Sequence, residues 1–438
     1  MVVDTLLSAR WIVPVDPGGI YEHHTLALAN GQIADLLPTE QACQRYPNVD
    51  TLDFTRHVLI PGLINTHTHA AMTLMRGLAD DLPLMVWLQQ HIWPTEQRWV
   101  DPRFVRDGTD LAMIEMLRGG ITCFSDMYFF PDTVIEAVEA VGMRAVAGLI
   151  VLDFPTAWGS GADDYLTKGI ALAERLQDHS LIKAAWAPHA PYTVSKEPLQ
   201  RIRDLAAQWQ LPVHMHVHET ADEVTGHAEQ HGQRPLAYLD DLGLLSPALN
   251  AVHMTQLTDA EIDRLAATGA NVLHCPESNL KLASGFCPVA RLDAAGVNVA
   301  IGTDGAASNN DLDLFSEMRT TALLGKALSG DAAALPAERI LAMATLNGAK
   351  ALGLADRTGS LTVGKSADIV AVDLAAPETE PVYNPISQLV YAAGRHQVSD
   401  VWVAGRRLLD NRRLTTIDDT AVRQRAIDWQ QRIAKGND

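Results

Sequence analysis

The segment GLINTHTH, residues 62–69, is a short β-rich run that ends in two histidines separated by one residue. Seven further runs of similar texture follow it: ITCFSDM (121–127), RAVAGLIVLD (144–153), IKAAWAPH (182–189), PVHMHVHE (212–219), NAVHMTQL (250–257), GANVLHCP (269–276) and NVAIGTDG (298–305). Between them lie stretches such as DLAMIEMLRGG, DAEIDRLAATG and PVARLDAAG, whose apolar residues recur at helical spacing and whose last residue is glycine. Those are the marks of capped amphipathic helices. Strands that alternate with helices predict a parallel sheet, and eight of them predict a closed (β/α)8 TIM barrel.

Outward from that core the texture changes. The barrel is expected over residues 61–356, preceded by residues 1–60, which read as short strands with turn signals, Asn30-Gly31 among them. The same texture returns in GSLTVGKSADIVAVDL and VSDVWVAGRRLL, where apolar and polar residues alternate around glycines. Residues 357–438 are therefore expected to pair with the N-terminal segment in one small β-sandwich. A closing helix, TAVRQRAIDWQQRIAKG, is expected on the surface.

A chain of 438 residues has room for a barrel of this type and a satellite unit. Hydrophobic residues make up 47% and charged residues 20%, a globular balance that permits a sizeable core. Lys and Arg total 34 against 53 Asp and Glu, a formal net charge of -19, which repels phosphate backbones and anionic lipid. Nucleic acid and membrane are thus disfavoured as partners. The start, MVVDTLLSARWIVPVDP, has no basic stretch ahead of its apolar residues, and no segment approaches the roughly 20 apolar residues of a membrane helix. A cytoplasmic location is expected. Cys43, Cys123, Cys275 and Cys287 form no C-x-x-C pair and are expected as buried thiols.

Titratable residues gather at the C-terminal ends of the runs: His67 and His69 on the first, His189 on the fourth, His216 and Glu219 on the fifth, His253 on the sixth and Asp304 on the eighth. Barrel enzymes build their sites at that mouth. Residues two apart on a strand share a face, so His67 and His69 project together and can ligate one cation; an isolated H-x-H is also a common chance pattern. With His216 and Asp304 the set offers three imidazoles and a carboxylate, enough for zinc with a position left for water. Period alone does not select His216, since His214 and His218 lie on the same face of an ideal strand. Plainer roles also exist: Glu219 as an N-cap carboxylate, Asp304 as a turn residue before glycine, His253 and His189 as hydrogen-bonded core histidines.

Taken together, PGLINTHTHAAMTLMRG, APHAPYTVS, VHMHVHET, AVHMTQL and GTDGAASNNDLDLF resemble the deaminases of the amidohydrolase superfamily, above all the 5′-methylthioadenosine/S-adenosylhomocysteine deaminases. The resemblance spans nearly the whole chain. It implies His67, His69, His216 and Asp304 as ligands of one divalent ion per chain, Zn2+ first, with Fe2+ or Mn2+ also suited. It implies that Asp304 takes a proton from water, that attack falls on C6 of adenine, that Glu219 delivers a proton to N1 and that His253 holds the attacking oxygen. By resemblance, Glu96 in WPTEQRW accepts from both ribose hydroxyls, Trp87 walls the nucleoside pocket, and His189 and Ser308 contact substrate. As plain protein features, Glu96 would be a solvated helix residue and Trp87 a core aromatic. The partner implied is a small nucleoside, and a homo-oligomer stays open.

One departure bears on substrate choice. Relatives that handle S-adenosylhomocysteine are expected to offer arginine near the end of the third strand. Here LIVLDFPTAWGSGADDYLTK, residues 149–168, has none, and carries Asp153, Asp163 and Asp164. A short uncharged 5′-thioether is expected to suit it better, packed against Phe154, Pro155 or Trp158. The rival enzymes are a guanine- or cytosine-type deaminase and an s-triazine chlorohydrolase, because the metal shell does not encode the leaving group. A binuclear dihydroorotase type lacks its bridging lysine where His189 stands. The cytidine deaminase type lacks P-C-x-x-C after His227-Ala228-Glu229. A non-enzymatic scaffold would be expected to have lost ligands that are all filled here.

Overall fold

The computed structural model describes residues 2–436; Met1, Asn437 and Asp438, at the outer ends of the two terminal segments, lie outside the described residues. Four strands come first: β1 (Thr5–Ile12), β2 (Tyr21–Ala29), β3 (Gln32–Pro38) and β4 (Thr51–Pro61). The next eight are β5 (Leu63–Thr68), β6 (Ile121–Asp126), β7 (Arg144–Val151), β8 (Ile182–Pro188), β9 (Val213–Val217), β10 (Leu249–His253), β11 (Asn271–His274) and β12 (Val299–Ile301). They pair in sequence order from β5 to β12, all in parallel, and each coincides with one of the eight sequence runs. Both faces of these strands are covered, which is why their sequences read as nearly continuous apolar runs.

The ring closes between β12 and β5 through hydrogen bonds that involve side chains as well as backbone. Thr66 Oγ1 donates to Ile301 O at 2.9 Å, the Asp304 amide to His67 O at 3.0 Å, and the Thr303 amide to Asn65 Oδ1 at 3.0 Å. Gly302 permits this approach: a Cβ there would stand 2.7 Å from the His67 nitrogen, closer than real Cβ contacts come. A glycine that looks like turn punctuation thus sets how near His67 and Asp304 can lie.

The C-terminal segment adds β13 (Ile369–Asp373), β14 (Val398–Val403), β15 (Arg406–Asp410) and β16 (Arg413–Leu414). The two chain ends do form one unit. Its hydrogen bonding runs continuously through eight strands in the order β16-β15-β14-β13-β4-β1-β2-β3, with β4 and β13 antiparallel at the junction. Leu7, Leu28 and Phe54 from one end share a core with Ile369, Ala371 and Trp402 from the other, and Phe54 meets Trp402 edge-on at 5.7 Å. Arg144, the first residue of β7, ties this unit to the barrel with a buried pair to Asp368, Nε to Oδ2 at 2.7 Å.

Two sequence expectations change. Cys43 is exposed, while Cys123, Cys275 and Cys287 are buried. The last helix, Asp419–Gly436, does more than lie on the surface. It buries Val422, Trp429 and Ile433, and Trp429 Nε1 donates to Asp107 Oδ2 at 2.9 Å on the barrel helix Pro102–Arg118. No helix among the described residues is long and apolar enough to cross a membrane.

Candidate metal centre and substrate cavity

His67 and His69 leave the end of β5 with ring centroids 4.8 Å apart, as residues two apart on a strand should. His216 reaches the same point from β9, and Asp304 from the turn after β12. His67 Nε2 lies 3.2 Å from His216 Nε2 and 3.4 Å from Asp304 Oδ1, and His69 Nε2 lies 3.3 Å from the same carboxylate oxygen. The outward nitrogens are occupied: His69 Nδ1 meets Met127 O at 2.5 Å, His216 Nδ1 meets His189 O at 2.8 Å, and His67 Nδ1 meets His214 Nε2 at 2.7 Å. Met127 O and His189 O can only accept, so His69 and His216 donate through Nδ1 and turn an Nε2 lone pair inward; His67 does the same where His214 Nε2 accepts. Lone pairs at such separations repel unless a cation lies among them, so this donor set fits a divalent ion.

The structure separates the three histidines that periodicity left equivalent. His214 points to the far side of His67 and supports it. His218 leaves the strand in a left-handed conformation, φ +54°, and its Nε2 accepts from the Leu236 amide at 3.1 Å. Only His216 of the three aims at the shared point.

His253 closes the group: its Nδ1 meets Asn279 Oδ1 at 2.9 Å, and its Nε2 lies 3.8 Å from Glu219 Oε2. Glu219 is buried, and burial raises its carboxyl above the ordinary range against the opposing pull of His253. Asp304 goes the other way. Burial would raise it, but hydrogen bonds and charge from His67 and His69 outweigh that and hold it well below the ordinary range. Its Oδ2 also accepts from Ser278 Oγ at 2.7 Å, and Ser278 reaches Ser308 Oγ at 3.1 Å. His253 and Asp304 have φ of +76° and +64°, conformations unusual outside glycine and concentrated at functional sites.

These groups form the floor of a cavity of about 770 Å3. Of the residues expected as metal ligands, catalytic groups or nucleoside contacts it gathers all but His67, which lies fully buried beneath. Trp87 forms part of the wall, fixed by its Nε1 donating to Ala79 O at 3.1 Å. Glu96, far from being a solvated helix residue, accepts from Tyr128 Oη at 2.7 Å, and burial pushes it up to about 7. The His189 ring lies tilted beside His216, centroids 4.8 Å apart, and burial lowers it to about 3. Leu152, Phe154, Pro155, Thr156 and Ala157 line the side that follows β7; Trp158 does not, packing instead against Tyr165 at 5.6 Å. No Lys or Arg lines the cavity among the described residues, and Lys168 turns away to Asp164 at 3.0 Å.

Sequence reasoning missed Ser278, Asn279 and Tyr128, and weighed His214 only as a rival to His216, not as the support of His67. Ser278 and Asn279 stand on the short helix Pro276–Lys281 directly after the seventh strand, so their place at the barrel mouth was a usable signal.

A parallel eight-stranded barrel with a histidine-rich candidate metal centre at its mouth, joined to a sheet built from both chain ends, defines the class: a barrel hydrolase of the amidohydrolase type. The profile of the Amidohydrolase family matches residues 58–408. A Teredinibacter turnerae protein called 5-methylthioadenosine/S-adenosylhomocysteine deaminase is 48% identical over 432 residues, 98% of each chain. One of the same name from Saccharophagus degradans is 50% identical over 431 residues, 98% of this chain and 97% of its own. The chain belongs to this family, the 5-methylthioadenosine/S-adenosylhomocysteine deaminases of the amidohydrolases. Among solved structures, an adenosine deaminase from Xanthomonas campestris with bound zinc is 54% identical, with TM-score 0.98 over 99% of both chains. An atrazine chlorohydrolase from Arthrobacter aurescens shares the fold at 22% identity, with TM-score 0.91 over 97% of this chain and 100% of its own.

Proposed function

We propose that this protein removes the 6-amino group of adenine nucleosides by hydrolysis, giving the inosine analogue and ammonia. 5′-Methylthioadenosine is a better substrate than S-adenosylhomocysteine, and adenosine is also accepted. The observation that carries this is the convergence of His67, His69, His216 and Asp304 beside Glu219 and His253, on the floor of a largely apolar cavity. His67, His69, His216 and Asp304 would hold one divalent ion, zinc by the chemistry of the set and by its presence in the Xanthomonas relative. Bound there, such an ion would supply an acidified water, with its pKa brought from about 15.7 to about 7.

The chain's own groups do the rest. Asp304, kept ionised, accepts a proton from the attacking water. His253 Nε2 orients that water toward C6, its ring fixed by Asn279. Glu219, its carboxyl raised by burial, carries a proton to N1, and the same carboxylates return one to the departing amine. Glu96 accepts from the ribose hydroxyls, Trp87 walls the nucleoside, and His189 and Ser308 contact it.

The test is a panel of adenosine, 5′-methylthioadenosine, S-adenosylhomocysteine, guanine, cytosine and an s-triazine chloride, with ammonia and chloride measured together. Ammonia from the adenine nucleosides supports the reading. Chloride release, or ammonia from guanine or cytosine alone, overturns it.

A further inference from the structure

Glu219 stands on a short connection between β9 and the helix Ala221–His231, a place where a side chain is only as well aimed as its backbone. That backbone is gripped from two sides. Glu223, partly buried in the first turn of the helix, accepts from the His218 amide through Oε1 at 3.0 Å and from the Glu219 amide through Oε2 at 2.7 Å. Opposite it, Thr255 Oγ1 donates to Glu219 O at 2.7 Å, and the Thr255 amide donates to His218 O at 3.0 Å.

The arrangement departs from ordinary helix capping. Thr220 does cap the helix, its Oγ1 accepting from the Glu223 amide at 3.2 Å. In a reciprocal capping box the glutamate returns to the amide of the cap residue. Glu223 instead passes over Thr220 and takes the two amides before it. Those amides converge because His218 is left-handed, φ +54°, a costly conformation for a side chain with a Cβ and one that persists only when its surroundings hold it. A carboxylate is the one side-chain group of this length that accepts at two oxygens at once.

We infer that Glu223, with Thr255, is a positioning residue for the proton-transfer chemistry of Glu219, fixing the 218–219 peptide so that the Glu219 carboxyl faces the substrate ring. This rests on the deaminase reading above. Glu223 is not among the residues that line the cavity, and its carboxylate is bonded to the 218–219 backbone, so it would act through Glu219. Its effect therefore belongs in kcat.

The experiment uses the metal-loaded full chain with adenosine, comparing wild type, Glu223→Gln, Glu219→Gln and the double variant. Gln keeps the size of Glu223 but turns an N–H donor toward one of the two amides. The expected result is a kcat lower by about 10–100-fold. KM should stay within about threefold, with metal content and Tm retained. The double variant should be no slower than Glu219→Gln alone, because a residue that works through Glu219 has nothing left to position. A structural role would instead lower Tm and would add to the loss in the double variant. Wild-type kcat in Glu223→Gln, or full additivity, overturns the inference. If Glu223→Gln does not fold, Thr255→Val removes the opposite grip and carries the same expectations. An inactive wild type overturns the functional reading as well; an active wild type with an unimpaired Glu223→Gln overturns only this one.

Discussion

Replacing Phe154 by arginine should raise activity on S-adenosylhomocysteine relative to 5′-methylthioadenosine. The adenine and ribose ends of the two substrates are the same, so discrimination arises where the 5′ substituent lies. The wall after β7, Leu152 to Ala157, is largely apolar, and no Lys or Arg lines the cavity among the described residues. A methylthio group packed there contributes on the order of 1–2 kcal/mol through buried apolar area. A homocysteine tail brings a carboxylate that keeps its water only by forgoing that packing, or enters unpaired at a cost of roughly 1–3 kcal/mol or more. At about 1.4 kcal/mol per tenfold, wild-type kcat/KM should favour the methylthio compound by at least about tenfold. Phe154 lines the cavity and is 46% exposed, so a longer side chain fits without displacing core. An arginine there, paired with the carboxylate, supplies roughly 1.5–3 kcal/mol, raising kcat/KM for S-adenosylhomocysteine by about 10–100-fold with adenosine little changed. Ammonia release, or the change in ultraviolet absorbance from adenine to hypoxanthine, reads all three substrates. Equal or higher kcat/KM for S-adenosylhomocysteine in the wild type refutes the reasoning from the uncharged wall.

Glu219→Gln should keep the metal and lose roughly 10²–10⁴-fold in kcat, since the amide is nearly isosteric yet carries no acidic proton; near wild-type turnover would reduce Glu219 to a structural role. Purified protein should hold about one divalent ion per chain by elemental analysis, and His67→Ala or His216→Ala should lose both ion and activity; two ions in fully active protein would contradict a single site. The affinity for adenosine should weaken as pH falls through about 7, because burial raises Glu96 to that value and only its ionised form accepts from both ribose hydroxyls, whereas KM of Glu96→Gln should lose that dependence. Arg144→Ala should cost roughly 3–5 kcal/mol in denaturant titration of the loaded protein, since it leaves the Asp368 carboxylate buried without its partner between barrel and terminal sheet.

How far the sequence led depended on which physical regularity each residue obeyed. The barrel was legible because β5 to β12 are apolar on both faces and alternate with amphipathic helices, a pattern that survives without knowledge of contacts. His67 and His69 were legible because strand period fixes them on one face. Period could not choose among His214, His216 and His218. The end of β9 at Val217 and the left-handed turn at His218, which the sequence does not announce with a glycine, remove His218, and His214 falls away because it meets His67 on its far side. Trp158 was misplaced because its distance along the loop after β7 says nothing of whether the ring turns inward or onto Tyr165.

The same cause explains why the supporting residues were harder to find than the groups they support. Asn279 orients His253, Ser278 holds Asp304, Tyr128 holds Glu96 and Glu223 holds the backbone of Glu219. Three of the four come from a different strand or helix than their partner, so no local spacing links the pair, and each is an ordinary polar residue in its own segment. Groups that share a strand face can be read from period; those that meet across the mouth need the closed ring. The left-handed backbones of His218, His253 and Asp304 belong to that second kind. Each is a local cost that hydrogen bonds from another segment can hold in place, as Glu223 and Thr255 do at His218, so the aim of the proposed chemistry depends on contacts formed only when the barrel has closed.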